Sequence, residues 1–189
     1  MKNVKSLLRS PFARKEDGSL SVEAVIILPI LVWAITATFV FWDAFRTLNA
    51  SQKATYAVAD MLSREETAVD ANYLTSAHEL FNFLAGEAGS NAIRVSVVTR
   101  VTDPVTNTDV TQLVWSKGLG GMADHTDVTA LANRLPRIGL GEQMIVVETE
   151  QEWTPAFSVG LASYRFRETA VSRPRFSPQL CWTTCGSTT

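Results

Sequence analysis

Between positions 24 and 42 the chain reads AVIILPILVWAITATFVFW, nineteen residues without a charge. As an α-helix rising about 1.5 Å per residue, that stretch matches the roughly 30 Å hydrocarbon core of a bilayer, so the pattern predicts one membrane-spanning helix. Helical spacing continues beyond it. Ala54, Val58, Met61 and Leu62 fall on one face, and neither Gly nor Pro occurs between Thr47 and Leu84. The helix is therefore expected to leave the membrane as a stalk whose apolar stripe lies on a soluble domain. The pattern lapses at 69–72. Tyr73, Leu74, Leu80, Phe81 and Leu84 then mark a second helix that Gly86 and Gly89 stop.

From Asn91 the period changes to two. Ile93, Val95 and Val97 alternate with Arg94 and Ser96, Asp103-Pro104 interrupts, and 110–115 resumes, which predicts a hairpin. A glycine-rich loop is expected at 117–121 and a short helix at 127–135, halted by Pro136. Two further strands are expected at 142–153 and 163–171, separated by Thr154-Pro155 and Gly160. The fold class is α+β: a long N-terminal transmembrane and stalk helix, then a domain with a small antiparallel sheet and short helices. The predicted segments are a leader (1–18), the transmembrane helix (19–45), the stalk (46–66), the α+β domain (67–172) and an extended tail carrying a Cys pair (173–189).

Charge sets the expected topology. Lys2, Lys5, Arg9, Arg14 and Lys15 precede the span, whereas Asp43, Arg46 and Lys53 after it are sparse and mixed. The Lys/Arg bias places the N-terminus in the cytoplasm and the C-terminal bulk outside. A secretory signal carries a shorter apolar core followed by an A-x-A-like site. Here no two alanines of the span lie two apart, and Trp33, Phe39, Phe41 and Trp42 fill its second half. Cleavage before the span, after Gly18, fits better. It removes five of 17 basic and two of 19 acidic residues, frees an ammonium on Ser19, and leaves a net charge near −5. An acidic exterior argues against nucleic acid as a partner.

Gly18, four further residues, Glu23 and a long apolar helix resemble the class III signal of type IV pilins, which a prepilin peptidase cuts after the glycine. The lead RKEDGSLSVEAVIILPILVW followed by FRTLNASQKATYAVADMLSRE is most similar to the TadE/TadF-like pseudopilins of the tight-adherence (Flp pilus) system. Major Flp pilins are shorter and carry Tyr after the Glu, where this chain has Ala24. The resemblance covers the first third of the chain. It implies a pilin-like soluble domain, a bacterial inner-membrane location with the C-terminal domain in the periplasm, and later incorporation in a pilus. It also implies partners: prepilin peptidase, other pilin or pseudopilin subunits, inner-membrane assembly proteins and the lipid bilayer. The processing site would be Gly18 and Ser19, and the assembly residues Glu23 and Pro29.

A carboxylate at the edge of a spanning helix is costly and calls for a partner. For Glu23 two accounts stand. One is pairing with the Ser19 ammonium, of its own chain or, as the resemblance implies, of a neighbour. The other is a snorkelling acid stabilised by its own helix N-terminus. Pro29 removes a helix hydrogen bond and bends the helix, either for extraction from the membrane or incidentally.

Cys181 and Cys185 are the only cysteines. On a periplasmic side they are expected to form a disulfide that ties down the terminus. Zinc competes weakly, because His78 and His125 have no motif spacing with them. The preceding segment, with Pro174 and Pro178, reads as extended and superficial, an assembly contact or a linker. Catalysis finds no constellation: 118–121 lacks the GK[ST] ending of a phosphate loop, and no nucleophile elbow occurs. No cofactor or metal is expected. Glu148, Glu150 and Glu152 read as one solvated strand face with Arg165 and Arg167 opposite, and Trp115 and Trp153 as core. The expected function is a non-enzymatic minor pilin or pseudopilin in assembly of a tight-adherence pilus for surface attachment and biofilm formation. The alternative is an uncleaved, single-pass, membrane-anchored periplasmic binding protein.

Overall fold

The computed structural model describes residues 17–86 and 90–185, with no account of side chains at 17–21, so residues 1–16 of the leader expected at 1–18, and the Gly89 expected to stop the second helix, lie outside the described residues. The architecture is α+β. Helix α1, Asp17–Ser63, is a single 47-residue element that continues through Pro29, and at about 1.5 Å per residue it is roughly 70 Å long. Helix α2 covers Ala71–Ala85, and four strands follow: β1 Asn91–Thr102, β2 Asp109–Leu119, β3 Gln143–Trp153 and β4 Tyr164–Ser172. They form one antiparallel sheet in the order β2-β1-β3-β4.

α1 has two characters. From Val22 to Phe45 its large apolar residues are mostly exposed; Val25 is 72% and Ile30 62% exposed. From Ser51 onward one stripe is sealed: Ala54, Val58, Ala59 and Leu62 are buried with Leu74, Ala77 and Phe81 of α2 and with Ile93, Val95, Val97, Ile145 and Val147 of the sheet. The spacing of the α1 positions is that of a helix face, and strand alternation supplies the matching surface. Asp70 caps α2, its carboxylate accepting from the Tyr73 amide at 2.8 Å. Gly86 ends α2 with φ 94°, a conformation that favours glycine.

Strand β2 holds one extra residue. Val97 faces Trp115 but Val98 faces Leu113, so Val114 is a bulge that reverses the parity of the strand. Trp115 consequently packs on the helix-side core and Leu113 on the opposite face. That second face is covered by the 120–142 connection, whose Leu131 and Ile138 are buried on Val98, Met144 and Val146.

Two expectations are corrected here. Residues 127–135 form a succession of turns, with Leu131 N–H to Val128 O at 2.9 Å and Arg134 N–H to Leu131 O at 2.8 Å. Thr126, Val128 and Thr129 are β-branched, and the Asp127 carboxylate takes the Thr129 amide at 2.8 Å, a local bond that competes with helix. The glycine-rich stretch also differs: β2 runs through Leu119, and the chain turns only at Gly120 and Gly121, with φ 75° and 105°.

The C-terminal segment is integral to the fold. The Arg175 amide donates to the Ser63 carbonyl at 2.8 Å, satisfying an orphan acceptor at the end of α1. Val69 bridges Trp182 in parallel, and Leu180 is 1% exposed in the main core. The Trp115 indole donates to the Leu180 carbonyl at 2.9 Å and its ring meets Trp182 at 5.3 Å. Leu180→Ala is expected to cost about 2–5 kcal/mol in denaturant unfolding of the detergent-solubilised chain. Phe176→Ala, four residues earlier and 64% exposed, is expected to stay within about 0.5 kcal/mol.

Candidate functional site

Three regions hold the residues of functional interest. The first is the exposed half of α1. Val22–Ser63 contains a stretch long and apolar enough to cross a membrane, which suits an anchor; an apolar N-terminal segment is also what a signal sequence carries. Gly18 and Ser19 lie in its first turns, Glu23 is exposed one turn later, and Pro29 sits within the helix. Among the described residues Glu23 is the only ionisable group from Val22 to Trp42. Thr36 and Thr38 donate their hydroxyl protons to Val32 O and Ala34 O, both at 2.8 Å, so they place no unsatisfied polar group on the helix surface.

The second region is the junction of helix and sheet. Strand β3 runs antiparallel to α1, and side-chain bonds fix its height. The Trp153 indole donates to Asp43 at 2.9 Å, the hydroxyls of Thr55 and Thr149 are hydrogen-bonded at 2.7 Å, and from the neighbouring β4 Ser172 donates to Ala59 O at 3.1 Å. Gln151, fully buried, donates to Ala85 O at 2.9 Å and ties the end of α2 to the same strand. These bonds leave little freedom for the head to slide along α1, because each buried group loses its partner if it moves.

The third region is the outer sheet face, where sequence reading missed a buried centre. Glu148, 4% exposed, accepts from Nε and Nη2 of Arg94 at 2.8 Å each. His125 Nε2 lies 2.7 Å from the same oxygen, and Arg134 is 3.3 Å from the other. The Arg94 guanidinium also donates to Ala123 O, and the His125 amide donates to Ser116 Oγ, each at 2.9 Å. The 120–142 connection is thus pinned over the carboxylate. The expectation of one solvated face therefore fails at Glu148. Glu150 and Glu152 do meet Arg167 at 2.7 Å and Arg165 at 3.9 Å respectively. The missed signal was Arg94: it stands directly opposite Glu148 in the β1–β3 register, an opposite-charge cross-strand pair. Nearby, the Lys117 ammonium and the Gly118 amide hold the Asp124 carboxyl below the usual aspartate range. At the α1–α2 turn, burial and donation to Glu65 push the Tyr73 phenol up.

Chemically, this outer cluster is saturated. Its carboxylate oxygens are engaged by cations, and no nucleophile stands beside a base. Among the described residues no group of three or more His, Cys, Asp or Glu side chains is placed to hold a metal ion. His78 Nε2 bonds the Asn91 carbonyl at 2.9 Å, remote from the cysteines. Cys181 and Cys185 are joined as a disulfide in the tail, next to the Val69–Trp182 bridge.

Breaking a buried ion pair costs about 3–5 kcal/mol, because the stranded charge stays out of water. Glu148→Gln leaves Arg94 without its anion and is expected to lower unfolding free energy by about 3 kcal/mol. Glu152→Gln, at a side chain 37% exposed, should change it by less than about 1 kcal/mol in the same assay.

Searches of family models, curated proteins and solved structures find no match to this chain.

Proposed function

We propose that this chain is a minor pilin or pseudopilin, a non-enzymatic subunit that is processed after Gly18 and takes part in assembling a tight-adherence pilus. The observation that carries the reading is the construction of α1: one uninterrupted helix, apolar and exposed through its first half, and built into the core of the head through its second. A subunit that must be held in a membrane and then packed laterally with its neighbours needs that design, because a hinged tether would not transmit the position of the anchor to the head. The Gly18–Glu23 spacing and the resemblance to TadE/TadF-like chains supply the processing and assembly elements. In this reading the N-terminus is cytoplasmic, the head periplasmic, and Glu23 sets subunit register by meeting the ammonium of a neighbouring Ser19.

The test is intact mass and N-terminal sequence of the protein recovered from membranes of hosts with and without a prepilin peptidase. The expected product begins at Ser19 only when the peptidase is present. Glu23→Ala is expected to abolish incorporation into sheared pili while the head keeps its thermal unfolding midpoint. A Met1 start in both hosts overturns the proposal and leaves the anchored binding protein in its place, and cleavage after the span overturns it and leaves a secreted binding protein.

A further inference from the structure

Resting on the reading of α1 as a membrane span, we infer that the head has a second membrane contact: the β3–β4 connection, residues 154–163, inserts into the outer leaflet beside the helix. The occupant of this surface is lipid, at the level of the acyl–headgroup boundary.

Four observations support it. The connection reads TPAFSVGLAS, without a charge, and the first charged groups on either side are Glu152 and Arg165. Both are engaged by opposite charges within the head. Next, its large apolar group points outward: Phe157 is 61% exposed, and Tyr164, which closes the connection, 62%. Third, the connection lies against α1 where the apolar stretch ends. Leu161, Ala162 and Tyr164 border a groove of ≈ 400 Å³ with Phe41, Ala44 and Phe45 of the helix.

The fourth is depth. Ala37 and Val40 are buried, 9% and 3% exposed, although the large apolar residues on either side of them along α1 are open. With Ala44 and Leu48, which border that groove, they share one helix face by their spacing of three and four. Cover therefore extends along α1 to Ala37, five residues before the uncharged stretch ends at Trp42. At about 1.5 Å per residue this is roughly 8 Å, and interfacial protein segments sit about 5–10 Å into the headgroup–acyl boundary. Trp42 and Tyr164, each 62% exposed, have the amphipathic character of an interfacial aromatic belt. Arg46 stacks over Trp42 at 5.9 Å and reaches the polar side.

Contact at both helix and connection would fix the tilt and rotation of the head on the membrane, where a helix alone leaves rotation free. The full chain is reconstituted in vesicles of phosphatidylethanolamine and phosphatidylglycerol. A nitroxide is attached through an encoded p-acetylphenylalanine at Phe157, at Leu31 or at Thr106, the last in the β1–β2 turn at the far end of the sheet. Collision with oxygen, enriched in lipid, is compared with collision with a water-soluble nickel chelate. Positions 157 and 31 are expected to share a high oxygen-to-nickel ratio, several-fold above position 106. If 31 is oxygen-rich while 157 behaves like 106, the second contact is wrong and the span stands. If 31 is also open to nickel, the span reading fails and the inference falls with it. If 157 is closed to both agents and shows dipolar broadening that dilution with unlabelled protein removes, a second copy covers the surface, and lipid is overturned as the occupant.

Discussion

Everything in this molecule depends on the seam between the second half of α1 and the inner face of the sheet. Ala54, Val58 and Leu62 are each under 3% exposed, as are Ile93, Val95, Val97, Ile145 and Val147 facing them. Burial of apolar area contributes on the order of 25 cal/mol per Å², and a sheet with one apolar face has no stable state without such a cover. Small residues let the layers close: Ser51, Ala54, Thr55 and Ala59 are all buried on α1, and Thr55 meets Thr149 hydroxyl to hydroxyl. The same helix is the exposed apolar rod at its other end, so a force or rotation applied there reaches the sheet through a continuous hydrogen-bonded backbone. The polar contacts of Asp43, Thr55 and Ala59, that of Thr55 fully buried, then set where along the rod the sheet sits.

The opposite face of the sheet solves a different problem with different means. The 120–142 connection has no regular secondary structure, so its backbone cannot satisfy itself as a helix would. Leu131 and Ile138 supply the apolar anchor, and the Glu148 cluster supplies the polar one. A buried ion pair adds little net stability over an apolar pair of equal volume, since desolvation offsets much of the attraction. Its value lies in discrimination: Arg94, His125 and Arg134 come from β1 and two points of the connection, and only one path of the chain brings all three to one carboxylate.

The sequence made the regular elements legible because their periods are strong. Ala54, Val58 and Leu62 at helical spacing, and Ile93, Val95 and Val97 at strand spacing, each report a face covered by another regular element. What stayed hidden depends on irregular cover. Alternation put Glu148, Glu150 and Glu152 on one face but could not tell that a turn-rich connection lies over the first of them and leaves the third half open. The bulge at Val114 was invisible for a similar reason, since an inserted residue looks like an imperfect alternation until the partner strand is known. Leu180 was hidden by its company: prolines, serines and cysteines around it read as a terminal extension, and only the gap between β2 and the α1–α2 turn explains a buried leucine there. Of the residues in the exposed apolar half of α1, Glu23 and Pro29 were legible as departures from an apolar run, and the structure adds their exposure and continuous helical setting.

That setting bears on how such helices choose partners. In lipid the apolar side chains of α1 gain nothing by leaving one hydrocarbon neighbour for another, so association has to come from close packing and from polar groups. The hydroxyls of Thr36 and Thr38 are already spent on the helix's own carbonyls, and none of the other side chains from Ala24 to Trp42 has a polar group apart from the indoles of Trp33 and Trp42. Close approach is available at Ala24, Ala34 and Ala37, yet Ala37 is already covered within the subunit. The charged determinant left for lateral assembly in the proposed reading is Glu23, at the extreme end of the apolar rod. In that reading a determinant there would fix the axial register of neighbouring rods while leaving their rotation about the rod axis unset. It is the head, held at a set height by Asp43 and Thr55, that must then decide the rotational setting.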